Sequence, residues 1–264
     1  MHNIISQARL KRVLTLAWAV LVFAGFGVEY WKYILDGERT NLVYFLGLGY
    51  EGNLPTWYSS TLLLLCSLQL ALIATGQTER QTPFAKHWWI LAAGFLYMSM
   101  DETAQVHENA GKWFDFSGVL FYGWVIPASI LVLLIGVSYM RFLAHLPRRV
   151  RYQFILSGAI YVGGAVGLDF ALGWWVDRAG TKNFTYGLID WVEESMEIMG
   201  TSLFLCSLTE YSRREKGLEV DSAARIAAAG TCQRHAAVAL AHVDCREARA
   251  VETENAELAE VCEL

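Results

Sequence analysis

Charged residues are scarce in this sequence of 264 residues. They make up 18% of the chain, against 55% hydrophobic residues, which is a low share for a soluble domain of this size. The two signs nearly balance, with 26 acidic and 21 basic side chains. No basic stripe is present of the kind that binds nucleic acid, so nucleic acid is not an expected partner.

Cysteine motifs are also missing. The five cysteines form no CxxC pair, which excludes a disulfide framework and a thiolate metal site as organising features. The first apolar block lacks a small-residue cleavage site, so we expect it to be a retained helix and not a signal peptide.

Long apolar blocks dominate the remaining sequence, and several reach the roughly 20 residues that one bilayer crossing needs. They predict an all-α bundle of six transmembrane helices in residues 1–212, with the lipid bilayer as its partner. The predicted spans are Val13–Leu35, Thr56–Thr75, Trp88–His107, Val119–Met140, Tyr152–Val176 and Gly187–Tyr211. The Ala- and Glu-rich tail, 213–264, has no Pro and no aromatic residue. Short helices or disorder are expected there, because too few large apolar residues are present to offset the ordering entropy.

Basic residues near the span ends predict the orientation. Those on the side of the termini are Arg9, Lys11, Arg12, Arg80, Lys86, Arg141, Arg148, Arg149, Arg151, Arg213, Arg214 and Lys216. Those on the other side are Lys32, Arg39, Lys112, Arg178 and Lys182. Because cytoplasmic segments are enriched in Lys and Arg, both termini and the tail are expected to be cytoplasmic.

Acidic residues lie toward the outer ends of several spans, where an ionised group facing lipid would cost at least about 3 kcal/mol. They are Glu29, Asp101, Glu102, Glu108, Asp169, Asp190, Glu193, Glu194 and Glu197, with His107 beside them. Helical spacing places Asp101 and Glu108 on one face of span three, and Asp190 and Glu197 on one face of span six. We expect these two faces to meet across the bundle.

The expected site is an outward-facing cation site, because the sequence offers no Lys or Arg inside the spans when Lys32 is assigned to the outer flank. The predicted metal ligands are Asp101, Glu102, His107, Glu108, Glu194 and Glu197. Glu102 and Glu193 are the predicted catalytic groups, and Glu29, Asp169 and Asp190 are expected to support the ligands or accept protons. Carboxylates with one imidazole suit a divalent ion such as Fe, Zn, Mn, Mg or Ca. The alternative is that these acids are structural, either solvated, protonated or placed at a helix N-terminus.

Three functions remain open on this basis. A metal-dependent membrane enzyme acting on a lipid or another membrane-soluble substrate is the first, although no ExxH pair of the di-iron kind occurs within a span. A cation or proton-coupled transporter is the second. A non-catalytic subunit of a membrane complex, or a homo-oligomer, is the third.

The segment from Ser99 to Glu108 reads Ser-Met-Asp-Glu, four further residues, then His-Glu. It resembles a helix found in uncharacterised bacterial multi-pass membrane proteins. The resemblance covers these ten residues and the hydropathy profile. It implies a location in the bacterial inner membrane and no particular activity.

Overall fold

The computed structural model describes residues 7–106 and 118–215, and these residues are helical, with no β-strand among them. The elements are α1 (Gln7–Tyr33), α2 (Asn41–Leu46), α3 (Leu54–Glu79), α4 (Ala85–Ala104), a 3-10 turn (Gly118–Leu120), α5 (Val125–His145), α6 (Arg148–Ala179) and α7 (184–215). The predicted all-α fold class is therefore confirmed. His107, Glu108 and the tail beyond residue 215 lie outside the described residues, so the expectations about them stay predictions.

Four helices, α1, α3, α5 and α6, are long and apolar enough to cross a membrane. Between 17% and 44% of each apolar stretch is buried inside the protein. Many large apolar side chains point outward instead, such as Phe23, Val20 and Leu133 at 76%, 67% and 67% exposure. An apolar surface of this extent indicates contact with lipid. The chain is therefore a membrane protein of at least these four apolar helices.

Helix α7 is the central helix of the bundle. In residues 184–215 only Leu203 and Arg214 are exposed. The indole N–H of Trp18 in α1 donates to the carbonyl of Ser195, and Phe204 stacks on Phe95 of α4. This enclosure removes α7 from lipid, which is why the helix tolerates several acids.

Glycines bring α6 and α7 together. A Cβ at Gly200 would lie 2.8 Å from the amide nitrogen of Tyr161, and one at Gly164 would lie 2.9 Å from the carbonyl of Glu193. The two backbones therefore approach closely over about two turns. Gly163 and Gly167 form a GxxxG pattern in α6, but of these two only Gly163 comes near α7. Gly164 makes the closer approach.

A π-helical segment, Gly163–Leu168, interrupts α6 at this contact. Such segments are rare and frequent at functional sites. The α-helix resumes at Asp169, which is buried.

An aromatic core fills the end of the bundle at which α1 begins. Trp88 is almost fully buried there, stacked on Tyr211 and edge-on to Phe142 and Phe154. The opposite end, where α1, α4 and α6 finish and α3, α5 and α7 begin, contains the polar residues.

Candidate functional site

A cavity of about 880 Å³ opens at this polar end of the bundle. Its walls come from the segment before α3, the end of α4, the turn before α5, the middle of α6 and the start of α7. These elements are distant in sequence. The site is therefore a product of the tertiary fold.

Eight carboxylates line the cavity: Glu51, Asp101, Glu102, Asp169, Asp190, Glu193, Glu194 and Glu197. No Lys, Arg or His stands among the described residues of the lining. Seven of these acids belong to the predicted site, so the structure brings together the acidic faces of spans three and six as expected. Eight carboxylates are a high density of acidic groups for one cavity, because burying a charge is costly unless it is compensated.

Helices α4 and α7 contribute the deepest acids. Glu102 lies beside the side chain of Ser59, and Glu197 lies beside the hydroxyl of Tyr161. Glu194 is partly buried, lies close to Glu102 and Glu197, and has no hydrogen-bond partner among the described residues. It lines the cavity. A carboxylate in this position needs a proton, a cation or water to compensate its charge.

Asp169 and Glu193 form a second acidic pair across the α6–α7 contact. Their carboxyl groups lie close enough to interact. The Oε2 oxygen of Glu193 is buried and has no hydrogen-bond partner among the described residues. The pair adds two acidic groups to the cavity wall at this helix contact.

The segment between α2 and α3 covers part of the cavity. A Cβ at Gly49 would meet the carboxylate of Asp190, so the backbone of this segment passes close to the start of α7. The side-chain amide of Asn53 holds the segment by donating to the carbonyls of Tyr44 and Gly47. Glu51, two residues after Gly49, was not among the predicted site residues, because acidic residues are common in loops. The glycines at 49 and 52, on either side of it, were the available signal for a close backbone approach.

Glu29 does not line the cavity. The prediction that it has no basic partner is wrong. Lys32, one turn further along α1, lies 2.6 Å from its Oε1, and both side chains are buried, at 4% and 7% exposure. Lys32 was assigned to the outer flank from its position near the end of the span. In the fold the loop that contains Tyr50 covers it, and the ammonium also donates to the Tyr50 hydroxyl at 3.4 Å.

Aromatic side chains form one wall of the cavity. The hydroxyls of Tyr122 and Tyr186 lie 3.4 Å apart, and Phe121 and Trp124 continue the same wall. Tyr161 closes the wall beside Glu197. The cavity therefore offers both carboxylates and aromatic rings along its lining.

A compact metal centre is not preformed in the part of the chain that the structure describes, since no three His, Cys, Asp or Glu side chains converge there. Asp101, Glu102, Glu194 and Glu197 line one cavity without converging on one point. His107 and Glu108, the other two predicted ligands, lie in the undescribed segment 107–117.

Residues 13–210 match a protein family described as a domain of unknown function, DUF8692. The chain belongs to this family. The match includes all the acids of the cavity and ends before the tail. No curated protein and no solved structure matches the chain. The family therefore assigns the helical region to one domain type, and the function has to be argued from the cavity.

Proposed function

We propose that this chain is a multi-pass membrane protein that binds cations in its acidic cavity. The observation that carries the proposal is that the carboxylates of Glu102, Asp190, Glu193, Glu194 and Glu197 line one cavity with no Lys, Arg or His among its described lining residues. Burying several carboxylates is tolerated only when positive charge, protons or water compensate them. Glu194 supports this most directly, because it has no hydrogen-bond partner among the described residues and lies close to Glu102 and Glu197.

We propose further that the domain spans the membrane six times, with both termini in the cytoplasm of a bacterial inner membrane. Helices α4 and α7 would be the additional spans. They are less apolar than the other four because they hold the acids, and α7 is shielded from lipid by its neighbours. The cavity would then open to the outer face, since Arg149 and Lys11 are at the opposite end, paired with Glu210.

Cysteine labelling tests this topology. In a chain whose tail cysteines are replaced by serine, Glu38→Cys should react with a membrane-impermeant maleimide in intact cells. Gln81→Cys should react only after the cells are opened. The reverse pattern would overturn the proposed orientation. Labelling of both cysteines in intact cells would contradict a single membrane crossing by α3 between these two positions.

Cation binding is tested with the full chain purified in detergent. Titration calorimetry with Mn²⁺, Zn²⁺, Ca²⁺ and organic ammonium ions should detect saturable binding by at least one of them. The Glu102→Gln/Glu194→Gln variant should lose it. The matched control Glu79→Gln/Asp177→Asn removes two exposed acids that do not line the cavity and should bind like the parent. Absence of saturable binding by every cation would overturn the proposal.

A metal-dependent membrane enzyme is the second candidate, and Glu193 favours it. Its buried, unpartnered oxygen at the cavity wall has the position of a general base. His107 and Glu108 would have to complete the ligands. Elemental analysis of the purified protein tests this candidate: near-stoichiometric Fe, Zn or Mn that is lost in the double variant would support it, and no bound metal would reject a resident metal.

A carrier with a path through the membrane has less support. Among the described residues the carboxylates of the cavity end at Glu197. The next acid along α7, Glu210, is held by Arg149 at 3.3 Å, by Lys11 at 3.9 Å and by the Gln153 amide. An acid held in this way is a poor step in a cation path, so the arrangement favours binding from one side.

A further inference from the structure

We infer that the ligand of this cavity is a linear polyamine, a flexible organic chain with two or more ammonium groups. The inference rests on the cation binding proposed above and names its substrate class. Three independent features carry it: the size of the cavity, the spacing of its carboxylates, and the way the protein already holds one alkylammonium group at the cavity's edge.

The cavity is far larger than a bare ion needs. A divalent metal is held by 6 to 8 oxygen atoms at about 2.0–2.6 Å, and such a sphere requires at least three converging ligands. No such group exists in the part of the chain that the structure describes. A volume of about 880 Å³ falls instead within the range typical of small-molecule sites, about 300–1,000 Å³.

The carboxylates of α7 are spaced like the amines of a polyamine. Asp190, Glu194 and Glu197 are three or four residues apart and share one helix face. Each step is therefore about one helical turn, ~5 Å, and the whole row is about 10 Å long. Two amines joined by three or four methylene groups are separated by a comparable distance. An extended polyamine lying along α7 would place one ammonium against each carboxylate.

Other lining residues suit the remaining parts of such a molecule. Glu102 of α4 is close enough to Glu194 and Glu197 to interact with both charges. The rings of Tyr122 and of Tyr186, one turn before Asp190 on α7, also line the cavity. Aromatic faces attract ammonium groups and also cover methylene chains.

Lys32 shows that this protein holds an alkylammonium group in the same way. Its ammonium is bonded to the Glu29 carboxylate and lies over the rings of Tyr50 and Tyr33, at 4.7 and 5.2 Å from their centres. It is also close enough to Asp190 to interact with the charge of that cavity acid. A carboxylate with flanking aromatic rings is thus an established ammonium site in this fold, and the cavity repeats the combination on a larger scale.

The test compares amines of increasing charge with metals on the full chain in detergent, at constant ionic strength. Butylamine, putrescine and spermidine carry one, two and three ammonium groups. We expect affinity to rise at least tenfold with each added group, as each one gains a carboxylate partner. Glu194→Gln should weaken spermidine binding at least tenfold, whereas Glu79→Gln, an exposed acid outside the cavity, should leave it unchanged.

A second readout protects the test against a misfolded variant. Spermidine should raise the thermal midpoint of the parent protein more than putrescine does, and an equal charge concentration of Mg²⁺ should not reproduce the effect. Binding of metals with no preference for the longer amines would overturn the polyamine inference and leave the proposed cation site intact. Binding of neither metals nor amines would overturn the proposed function itself.

Discussion

The buried pair of Glu29 and Lys32 gives a stability prediction that follows from the fold and not from the cavity. Lys32→Met keeps the length and apolar stem of the side chain but removes its charge. It leaves Glu29 buried, with Oε2 already lacking a partner and Oε1 now losing its only ammonium donor. Removing one partner of a buried pair is strongly destabilising, by about 3–5 kcal/mol.

The loss should be visible as a change in the thermal midpoint. For a domain of 150–250 residues, each 1 kcal/mol shifts the midpoint by about 2–4 °C, so Lys32→Met should unfold roughly 6–20 °C earlier. The double variant Glu29→Gln/Lys32→Met removes both charges. It should be less destabilised than Lys32→Met alone, because no uncompensated charge stays buried.

The chain provides a matched control for this cycle. Lys11 and Glu210 are 3.9 Å apart, and the Lys11 side chain is 47% exposed. Exposed pairs contribute about 0–1 kcal/mol, so Lys11→Met should shift the midpoint little. Thermal unfolding in detergent, followed by circular dichroism, measures the parent and these three variants. A Lys32→Met protein within about 1 kcal/mol of the parent would refute the reasoning, since Glu29 would then not depend on Lys32.

Two further variants test the packing. Gly200→Ala should destabilise the protein by about 1–3 kcal/mol, because its Cβ would meet the backbone of Tyr161 and Ser157 at 2.8–2.9 Å. The control is Gly94→Ala, whose Cβ meets nothing within 4 Å. Equal thermal midpoints for the two variants would contradict the close contact of α6 and α7. Trp88→Ala should cost about 3–5 kcal/mol, since Trp88 fills the aromatic core at 2% exposure; a shift under about 1 kcal/mol in urea or thermal unfolding would show that this core is not tightly packed.

The positions of the helices could be predicted from hydropathy to within a few residues. Span three was expected at Trp88–His107, and α4 occupies Ala85–Ala104. The fourth span, expected to begin at Val119, differs by six residues. The structure has a 3-10 turn at Gly118–Leu120, and α5 begins at Val125. The residues between the turn and α5 are mostly apolar and line the cavity. Hydropathy depends on composition alone, so it does not distinguish a helix from a turn of similar composition.

The meeting of the two acidic faces was also predictable, because helical periodicity fixes which residues share a face. Periodicity does not predict which residues of other segments pack against each face. Lys32 was separated from Glu29 by its place near the span end, although their i, i+3 spacing was a signal for pairing. Glu51 could not be assigned at all, because its role depends on how the α2–α3 segment folds back over the bundle.

The central position of α7 explains why the hydropathy of this chain is uneven. A helix that faces lipid must be apolar around its circumference, as α5 is, with Leu133 and Leu134 both more than 60% exposed. A helix enclosed by protein is free of that constraint and can hold Glu194 and Glu197, provided that the charge is compensated locally. The least apolar helices are thus the ones whose composition is set by the cavity. It follows that replacing Glu194 by Leu would make the sequence of α7 more apolar and would remove a carboxylate on which the cation proposal rests.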